Sequence, residues 1–296
     1  MKPSSLFACA ALFAQAAMAD LDLRLITFNI RYAASSLMTN EKPWSTRRPL
    51  LKNQLAGSIT GAASGALTVI GMQEVLHQQL LDIKSDLGSR WAHIGVARDD
   101  GKQSGEYCPI LYDNTAVKLI YSETKWLSPT PDTPSFGWNG GSRRVITIGV
   151  FESIASGERF IAANTHLDNA SSQARSEGIK VALSVIKRIQ GTYGPLGVSL
   201  TGDFNSAPGG DAYTVVQNDG YLRELYALAD ASKRFGPVHT YTTFTSTTGS
   251  RIDFIWVGPA ADNRWDVQRY EVLDNVKDGV YISDHRAVVG DLKLRT

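Results

Sequence analysis

An apolar run from Leu196 to Thr201 that stops at Gly202-Asp203-Phe204-Asn205 constrains this chain more than any other stretch. Continuous apolar residues bounded by a glycine predict a strand buried on both faces, ending at a turn that presents polar groups. If the backbone stays extended there, side chains alternate, so Asp203 and Asn205 share one side and Phe204 turns to the core. Taken alone, the stretch is ordinary turn chemistry, with Asx side chains bonding their own backbone. It gains weight because other apolar runs end in the same way, each with polar residues of the kinds a metal-assisted hydrolase needs.

Leu21 to Ile30 alternates and then becomes continuously apolar, which predicts a strand ending at Asn29. Leu67 to Gly71 predicts a second buried strand, delivering Gln73 and Glu74. Trp91 to Ala97, Tyr107 to Tyr112, Val117 to Trp126, Arg144 to Ile154 and Arg159 to Thr165 follow as further strands, with a hairpin turn at Ser156-Gly157-Glu158. Residues 251–257, 265–274 and 285–294 complete the set. Helical spacing marks Ser45 to Ser58, the segment of Leu80, Leu81, Lys84 and Leu87, and the segment from Ile179 to Ile189. Ser128 to Gly141, rich in Pro, Gly and Trp, is a long loop of the kind that carries specificity. Strands outnumber helices and helices fall between strands, which predicts one α/β domain whose sheets pack on each other with helices outside.

Lys2, the apolar run Leu6 to Ala17 and Ala17-Met18-Ala19 before Asp20 predict a secretory signal peptide over residues 1–19. Residues 20–296 then form a single exported domain with no integral membrane segment, expected to be a monomer. The full chain carries 30 basic and 29 acidic side chains; losing Lys2 leaves 29 of each, which argues against a general polyanion binder. Of the two cysteines only Cys108 would remain, so no disulfide can form within the mature chain. Set within an apolar strand, Cys108 reads as a buried side chain rather than a nucleophile. Gly-x-Ser-x-Gly, Gly-x-Gly-x-x-Gly, Gly-Lys-Ser/Thr and His-Glu-x-x-His are all absent, which sets aside elbow-type serine hydrolases, dinucleotide binding, P-loop chemistry and zincin chemistry.

What remains is oxygen and imidazole chemistry. Glu74 and Asp284, from opposite ends of the chain, could share one divalent cation; Mg²⁺ suits such a site because it accepts few protein oxygens and keeps its waters. Asp253, between Ile252 and Phe254, needs a partner because an unpaired buried charge is costly, and His285 is the expected one. Glu106 is the expected partner of His166, whereas His77, His93 and His239 are read as structural. Each residue taken singly is more simply a cap, a turn or a solvated charge.

In order, Thr27-Phe28-Asn29-Ile30-Arg31, Gln73-Glu74-Val75, Glu106-Tyr107, Thr165-His166-Leu167-Asp168, Gly202-Asp203-Phe204-Asn205, Arg251-Ile252-Asp253-Phe254 and Ser283-Asp284-His285 resemble the endonuclease/exonuclease/phosphatase superfamily over essentially the whole mature chain. The resemblance implies a four-layer α/β sandwich, two mixed β-sheets face to face with helices on the outside. It implies Mg²⁺ or Mn²⁺ held by Glu74 and Asp284, with Asn29 orienting that shell. Asp203 would orient or deprotonate the attacking water, Asn205 would hold the phosphate, and His166 and His285 would bind phosphoryl oxygens, kept oriented and charged by Glu106 and Asp253. Arg31-Tyr32, Trp44 with Arg47-Arg48, Tyr107, Gly137-Trp138 and Arg143-Arg144 are similar to an exported bacterial and fungal subset. Arg31, Arg144, Tyr107 and Trp138 are the substrate-contact candidates; Arg47, Arg48 and Arg143 are equally readable as surface charge.

The expected activity is hydrolysis of a phosphomono- or diester on a compact partner such as a lipid headgroup, inositol phosphate or sugar phosphate. A secreted nuclease acting on DNA or RNA, or an inactive binding protein on the same fold, stands as the alternative, since fold alone does not choose among them. Asn169-Ala170-Ser171 is the one glycosylation sequon, at the expected rim of the site, and is expected to carry little or no glycan.

Overall fold

The computed structural model describes residues 20–245 and 249–295; the predicted signal peptide, residues 1–19, lies outside the described residues. The chain runs β1 (Leu21–Asn29), α1 (Trp44–Thr60), β2 (Leu67–Gln73), α2 (His77–Leu87), β3 (Trp91–Ile94), β4 (Ile110–Asp113), β5 (Val117–Trp126), β6 (Val145–Ser153) and β7 (Arg159–His166). It continues with α3 (Ser172–Tyr193), β8 (Gly197–Asp203), α4 (Asp211–Asp219), β9 (Arg223–Glu224), α5 (Leu225–Leu228), β10 (Arg234–Phe235) and β11 (Asp253–Gly258). The last elements are β12 (Trp265–Val272), β13 (Val276–Lys277), β14 (Val280–Tyr281) and β15 (Val288–Leu294).

One sheet has the order β10-β12-β15-β1-β2-β4-β3 and the other β5-β6-β7-β8-β11-β9, with β13 and β14 as a separate hairpin. Both sheets are mixed: β1 is parallel to β2 and antiparallel to β15, and β7 is parallel to β8 and antiparallel to β6. Alternation along each strand builds the layers. Leu23, Leu25 and Val69 face Phe151, Phe160 and Ala162 of the other sheet, while Ile26, Phe28, Ile70 and Met72 point outward to Leu51, Leu55, Leu80 and Ile83 of α1 and α2. On the far side Ile148, Ile161, Val198 and Leu200 pack on Ile179, Leu183 and Ile186 of α3 and Val216 of α4. This is the four-layer sandwich, and strands buried on both faces explain why their sequences read as continuous apolar runs.

Several elements differ from the sequence expectation: β3 stops at Ile94 rather than Ala97, β15 starts at Val288 rather than at residue 285, and β9, β10, α5 and the β13–β14 hairpin had no expected counterpart. The strand expected from Tyr107 begins only at Ile110. Pro109 has no N–H to give a ladder, and Tyr107 makes only isolated bridges, to Val75 and Ala97. Helix α4 had no predicted counterpart: Thr214, Val215 and Val216 carry a β-favouring signature, and tertiary packing overrides it between Gly210 and the left-handed Gly220.

Beneath one end of the sandwich the two sheets are tied by polar side chains instead of apolar ones. Asn164 of β7 donates to Met72 O at 2.7 Å and Pro109 O at 3.0 Å, and its own oxygen accepts from Gln73 Nε2 at 2.7 Å and Thr201 Oγ1 at 3.1 Å. Gly71 has no room for a side chain here: a Cβ would meet Thr201 Oγ1 at 2.2 Å. The contact fixes the ends of β1 and β2 against those of β7 and β8, the ends at which every polar cluster emerges.

Candidate active site

Asn29, the last residue of β1, is fully buried and donates through its single amide nitrogen to Glu74 Oε1 at 2.9 Å and Asp203 Oδ2 at 3.0 Å. It thereby joins a carboxylate of the first sheet to one of the second. Its oxygen accepts from Arg31 N at 3.0 Å, so Asn29 orients carboxylates and does not present an oxygen of its own. Glu74 follows β2 with φ 60°, Arg31 has φ 58° and Asn205 φ 47°. Three non-glycine residues in the left-handed region at one place store backbone strain at the site. Glu74 Oε2 accepts from Tyr32 N at 3.1 Å. Asp284, nearly buried, has its carboxyl pushed up by burial, eased by His285 and raised again by the neighbouring Glu74 charge.

Asp203 closes β8. Burial and the adjacent Asp253 push its carboxyl up to about 7, against the opposing pull of His285, Asn205 N–H and Asn29. The extended backbone expected after it does not form. Asn205 N donates back to Asp203 Oδ1 at 2.9 Å, an Asx turn, and the left-handed Asn205 then directs its carboxamide to His166 Nε2 at 3.1 Å and Leu167 O at 3.0 Å. Phe204 turns into the core as its neighbours require, fully buried against Phe254 and Trp256. Asp253, the first residue of β11, sits directly opposite Asp203 in the ladder. Its Oδ2 meets His285 Nδ1 at 2.9 Å, the expected pair. Burial alone would lower His285; Asp253, Asp203 and Asp284 outweigh it and hold the imidazole well above its ordinary value. His285 Nε2 points at Asp203 Oδ2, 3.7 Å away.

Two groupings could be read as cation holders. Asp203, Asp253 and His285 present ligand atoms within 4.8 Å of one another. Asp253 Oδ2 and His285 Nδ1 already engage each other, however, leaving Asp253 Oδ1 buried without a partner, and that geometry is a carboxylate–imidazole dyad facing an acid. Glu74 and Asp284 fit an oxygen-bound divalent cation better. Both are oxygen donors, and the buried Asp284 carboxyl suffers from Glu74's charge, a repulsion that an ion between them would relieve.

The structure corrects several expectations for individual residues. Glu106 is not the partner of His166. Its two oxygens are held by Arg98 Nη1 and Nη2, each at 2.8 Å, and His166 Nδ1 lies 3.9 Å from Oε2 without a hydrogen-bond partner. Nor does Glu106 keep His166 charged: burial, Arg144, Arg98 and His285 depress it well below its ordinary value. Tyr107 is buried, its hydroxyl donating to Lys102 O at 2.8 Å and lying 2.9 Å from His77 Nδ1. With its polar tip already engaged, it is a scaffold residue. Trp138, left-handed at φ 44°, lines a surface cleft of about 420 Å³ with Val181, Val185 and Arg188 of α3, apart from the catalytic cluster. Arg31 is held by Glu41 at 3.1 Å and, against its burial, kept firmly protonated by Glu41, Asp284 and Glu74, so it offsets the acidic pair. Arg144 does lie beside His166; it donates to Asn169 Oδ1 at 3.1 Å, and its buried Nη1 has no partner. Arg47 is no surface charge: fully buried, it donates to five backbone carbonyls. Arg48 and Arg143 pair with Asp86 and Asp99 nearer the surface. Burial pushes the Cys108 thiol up to about 12, in keeping with an inert side chain.

Sequence reasoning missed two participants. Tyr241 packs against His285 with ring centroids 4.8 Å apart and the rings tilted by 44°, and burial together with Asp284, Asp203 and Glu74 raises its phenol. The flanking Thr240 and Thr242 lace the site: Thr240 Oγ1 accepts from Asp253 N at 3.1 Å, and Thr242 N donates to Asp284 O at 2.7 Å. Arg98 is the other. Nothing in its local sequence distinguishes it, because its role depends on Glu106 folding back across a loop.

Comparison with known proteins fits this geometry. The pattern of the Endonuclease/Exonuclease/phosphatase family matches residues 26–285. A solved endonuclease/exonuclease/phosphatase family protein from Bacteroides thetaiotaomicron is 30% identical, with TM-score 0.83, covering 94% of this chain and 100% of that one. A mannosyl-6-phosphatase from the same organism is also 30% identical, with TM-score 0.80, covering 91% and 99%. The human Nocturnin catalytic domain, 21% identical with TM-score 0.68 over 93% of this chain and 94% of its own, shares the fold. No curated protein matches the chain. Motifs, sandwich and site thus agree, and the chain belongs to the endonuclease/exonuclease/phosphatase family of phosphoester hydrolases.

Proposed function

We propose that this chain is an exported, divalent-metal-dependent phosphoesterase that hydrolyses a compact phosphoester by attack of a water. The observation that carries the reading is the convergence of Glu74 and Asp284 with Asp203, Asn205, His166 and the Asp253–His285 dyad at one end of the sandwich. Mg²⁺ or Mn²⁺ held by Glu74 and Asp284 would supply positive charge to the phosphoryl oxygens. Asp203, with its carboxyl near neutrality and its oxygens fixed by Asn29 and Asn205, orients the water and takes its proton. His285, oriented by Asp253 and kept protonated, offers Nε2–H to a phosphoryl oxygen as charge builds there. Asn205, expected to hold the phosphate, has both amide hydrogens engaged by Leu167 O and His166 Nε2, and its part is to fix Asp203 through its backbone N–H.

A compact substrate is favoured by the zero net charge of residues 20–296 and by the sugar phosphate that the mannosyl-6-phosphatase relative is named for. The test is a panel of 4-nitrophenyl phosphate, bis(4-nitrophenyl) phosphate, hexose 6-phosphates, inositol phosphates, sphingomyelin, plasmid DNA and RNA, with Mg²⁺, Mn²⁺ or EDTA. Metal-dependent hydrolysis of small esters with nucleic acid untouched is expected. Rapid, salt-sensitive degradation of DNA or RNA would instead establish a nuclease, since each phosphate contact releases counterions. Silence on the whole panel, with Mg²⁺ binding absent by calorimetry, would leave a binding protein.

A further inference from the structure

The clamp on Glu106 determines the state of His166. Arg98 grips both carboxylate oxygens at 2.8 Å, and is itself anchored: Nη2 lies 3.4 Å from Ser142 Oγ, and its carbonyl accepts from Trp126 Nε1 at 2.7 Å. A two-point guanidinium–carboxylate fork of this geometry fixes the plane and position of the Glu106 carboxylate and holds Oε2 3.9 Å from His166 Nδ1, out of hydrogen-bond reach. On the other side of the ring, Asn205 reports where the imidazole proton is. Its amide nitrogen donates to Leu167 O at 3.0 Å, and a carbonyl can only accept, so that contact fixes which way the carboxamide points. The second amide hydrogen is then directed at His166 Nε2, 3.1 Å away. Nε2 must offer a lone pair, which leaves the ring proton on Nδ1.

We propose that Arg98 is a positioning residue: by clamping Glu106 it keeps His166 a neutral imidazole protonated on Nδ1, so that Nε2 fixes the Asn205 carboxamide. Every group facing the ring agrees with a neutral state except one. Arg98 and Glu106 approach from the segment before β4, Arg144 from the start of β6 and His285 from the segment before β15. The three cations oppose a charge on the ring, and Glu106, turned to Arg98, stands 3.9 Å from Nδ1, beyond hydrogen-bond reach. Asp203 Oδ2, 3.4 Å from Nε2, is the exception, and Asn205 occupies that nitrogen first.

The experiment is a long-range proton–nitrogen spectrum of the full, metal-free chain labelled with ¹⁵N at histidine, at pH 7.5, with His166→Asn used for assignment. The wild type is expected to show two widely separated His166 ring nitrogens, Nδ1 bearing the proton, and Glu106→Gln is expected to leave them unchanged. In Arg98→Met the freed Glu106 turns to Nδ1 and the two signals converge to those of an imidazolium; adding Glu106→Gln to that variant separates them again. An imidazolium His166 in the wild type that Glu106→Gln neutralises, or an unmoved ring in folded Arg98→Met, would overturn the proposal. Where Arg98→Met does not fold, Arg98→Lys, which keeps the charge but cannot form the two-point fork, takes its place: a ring that moves toward imidazolium supports the clamp, and an unmoved ring overturns it. A chain inert on the ester panel would remove the proposed function and leave this spectrum as the judge of the ring.

Discussion

Replacing Asp203 by Asn should make the protein more stable while disabling it, and the gain should depend on pH in a way the site dictates. Asp203 is 1% exposed, and its carboxyl is carried from an ordinary 3.8 up to about 7 by burial and Asp253. At 1.36 kcal/mol per pH unit, ionising it inside the fold costs about 4 kcal/mol at pH 8 relative to the unfolded chain. The sign follows from the direction of the shift. Folding favours the protonated acid, so the penalty is absent below the unfolded value and grows as pH rises to the folded one. At pH 5 less than half of it is present, so the pH-dependent part between 5 and 8 is on the order of 2–3 kcal/mol. Asn is isosteric and carries no charge, but its NH₂ must face either Asn29 Nδ2 or Asn205 N, both donors. That mismatch costs about 1–2 kcal/mol at every pH. Urea unfolding of both proteins in EDTA at pH 5 and pH 8 isolates the pH-dependent part, because the lost hydrogen bond cancels. The variant's advantage should widen by about 2–3 kcal/mol from pH 5 to pH 8, with turnover down by at least about 100-fold as expected for loss of a general base. A stability difference independent of pH would refute the claim that Asp203 is a strained, charge-burying residue.

Two further outcomes follow from other parts of the molecule. Arg47→Met should destabilise the fold by about 3–5 kcal/mol, because five backbone carbonyls, among them Ile30 O at 2.7 Å and Ile282 O at 2.9 Å, lose a buried charged donor; a loss under about 1 kcal/mol in urea unfolding would show that those carbonyls find other partners. Glu74→Gln should raise the Mg²⁺ concentration for half-maximal activity by at least about tenfold, as loss of one of two carboxylate ligands implies, and an unchanged half-saturation in a Mg²⁺ titration would remove Glu74 from contact with the ion.

Legibility of the site in the sequence followed a physical divide. Residues whose place is set by position on a buried strand were readable: Asn29, Glu74, His166, Asp203, Asp253 and Asp284 each end, begin or adjoin an apolar run, and the sandwich brings those ends together. The Asp253–His285 pair was readable too, because a carboxylate among Ile252 and Phe254 must find a cation. Arginine roles were not. Arg31, Arg47, Arg98 and Arg144 differ little in local sequence, and long side chains find their acceptors only in three dimensions: Glu41 for one, five carbonyls for another, Glu106 for the third and Asn169 for the last. Aromatic residues were hard to read in the same way, with Tyr107 engaged in the scaffold, Trp138 lining a cleft apart from the catalytic cluster, and Tyr241 set against His285.

By itself, then, the sequence determined the sandwich and the identity of the groups that meet at its end, because hydrophobic periodicity fixes strands and strand ends are where polar residues can gather. Tertiary structure alone decided the protonation states. Asp253 confronting Asp203 across the ladder, Asn205 left-handed against His166, and Arg98 closing on Glu106 are contacts between segments far apart in the chain. Charge states depend on such distances and on burial, and no spacing along the sequence encodes either.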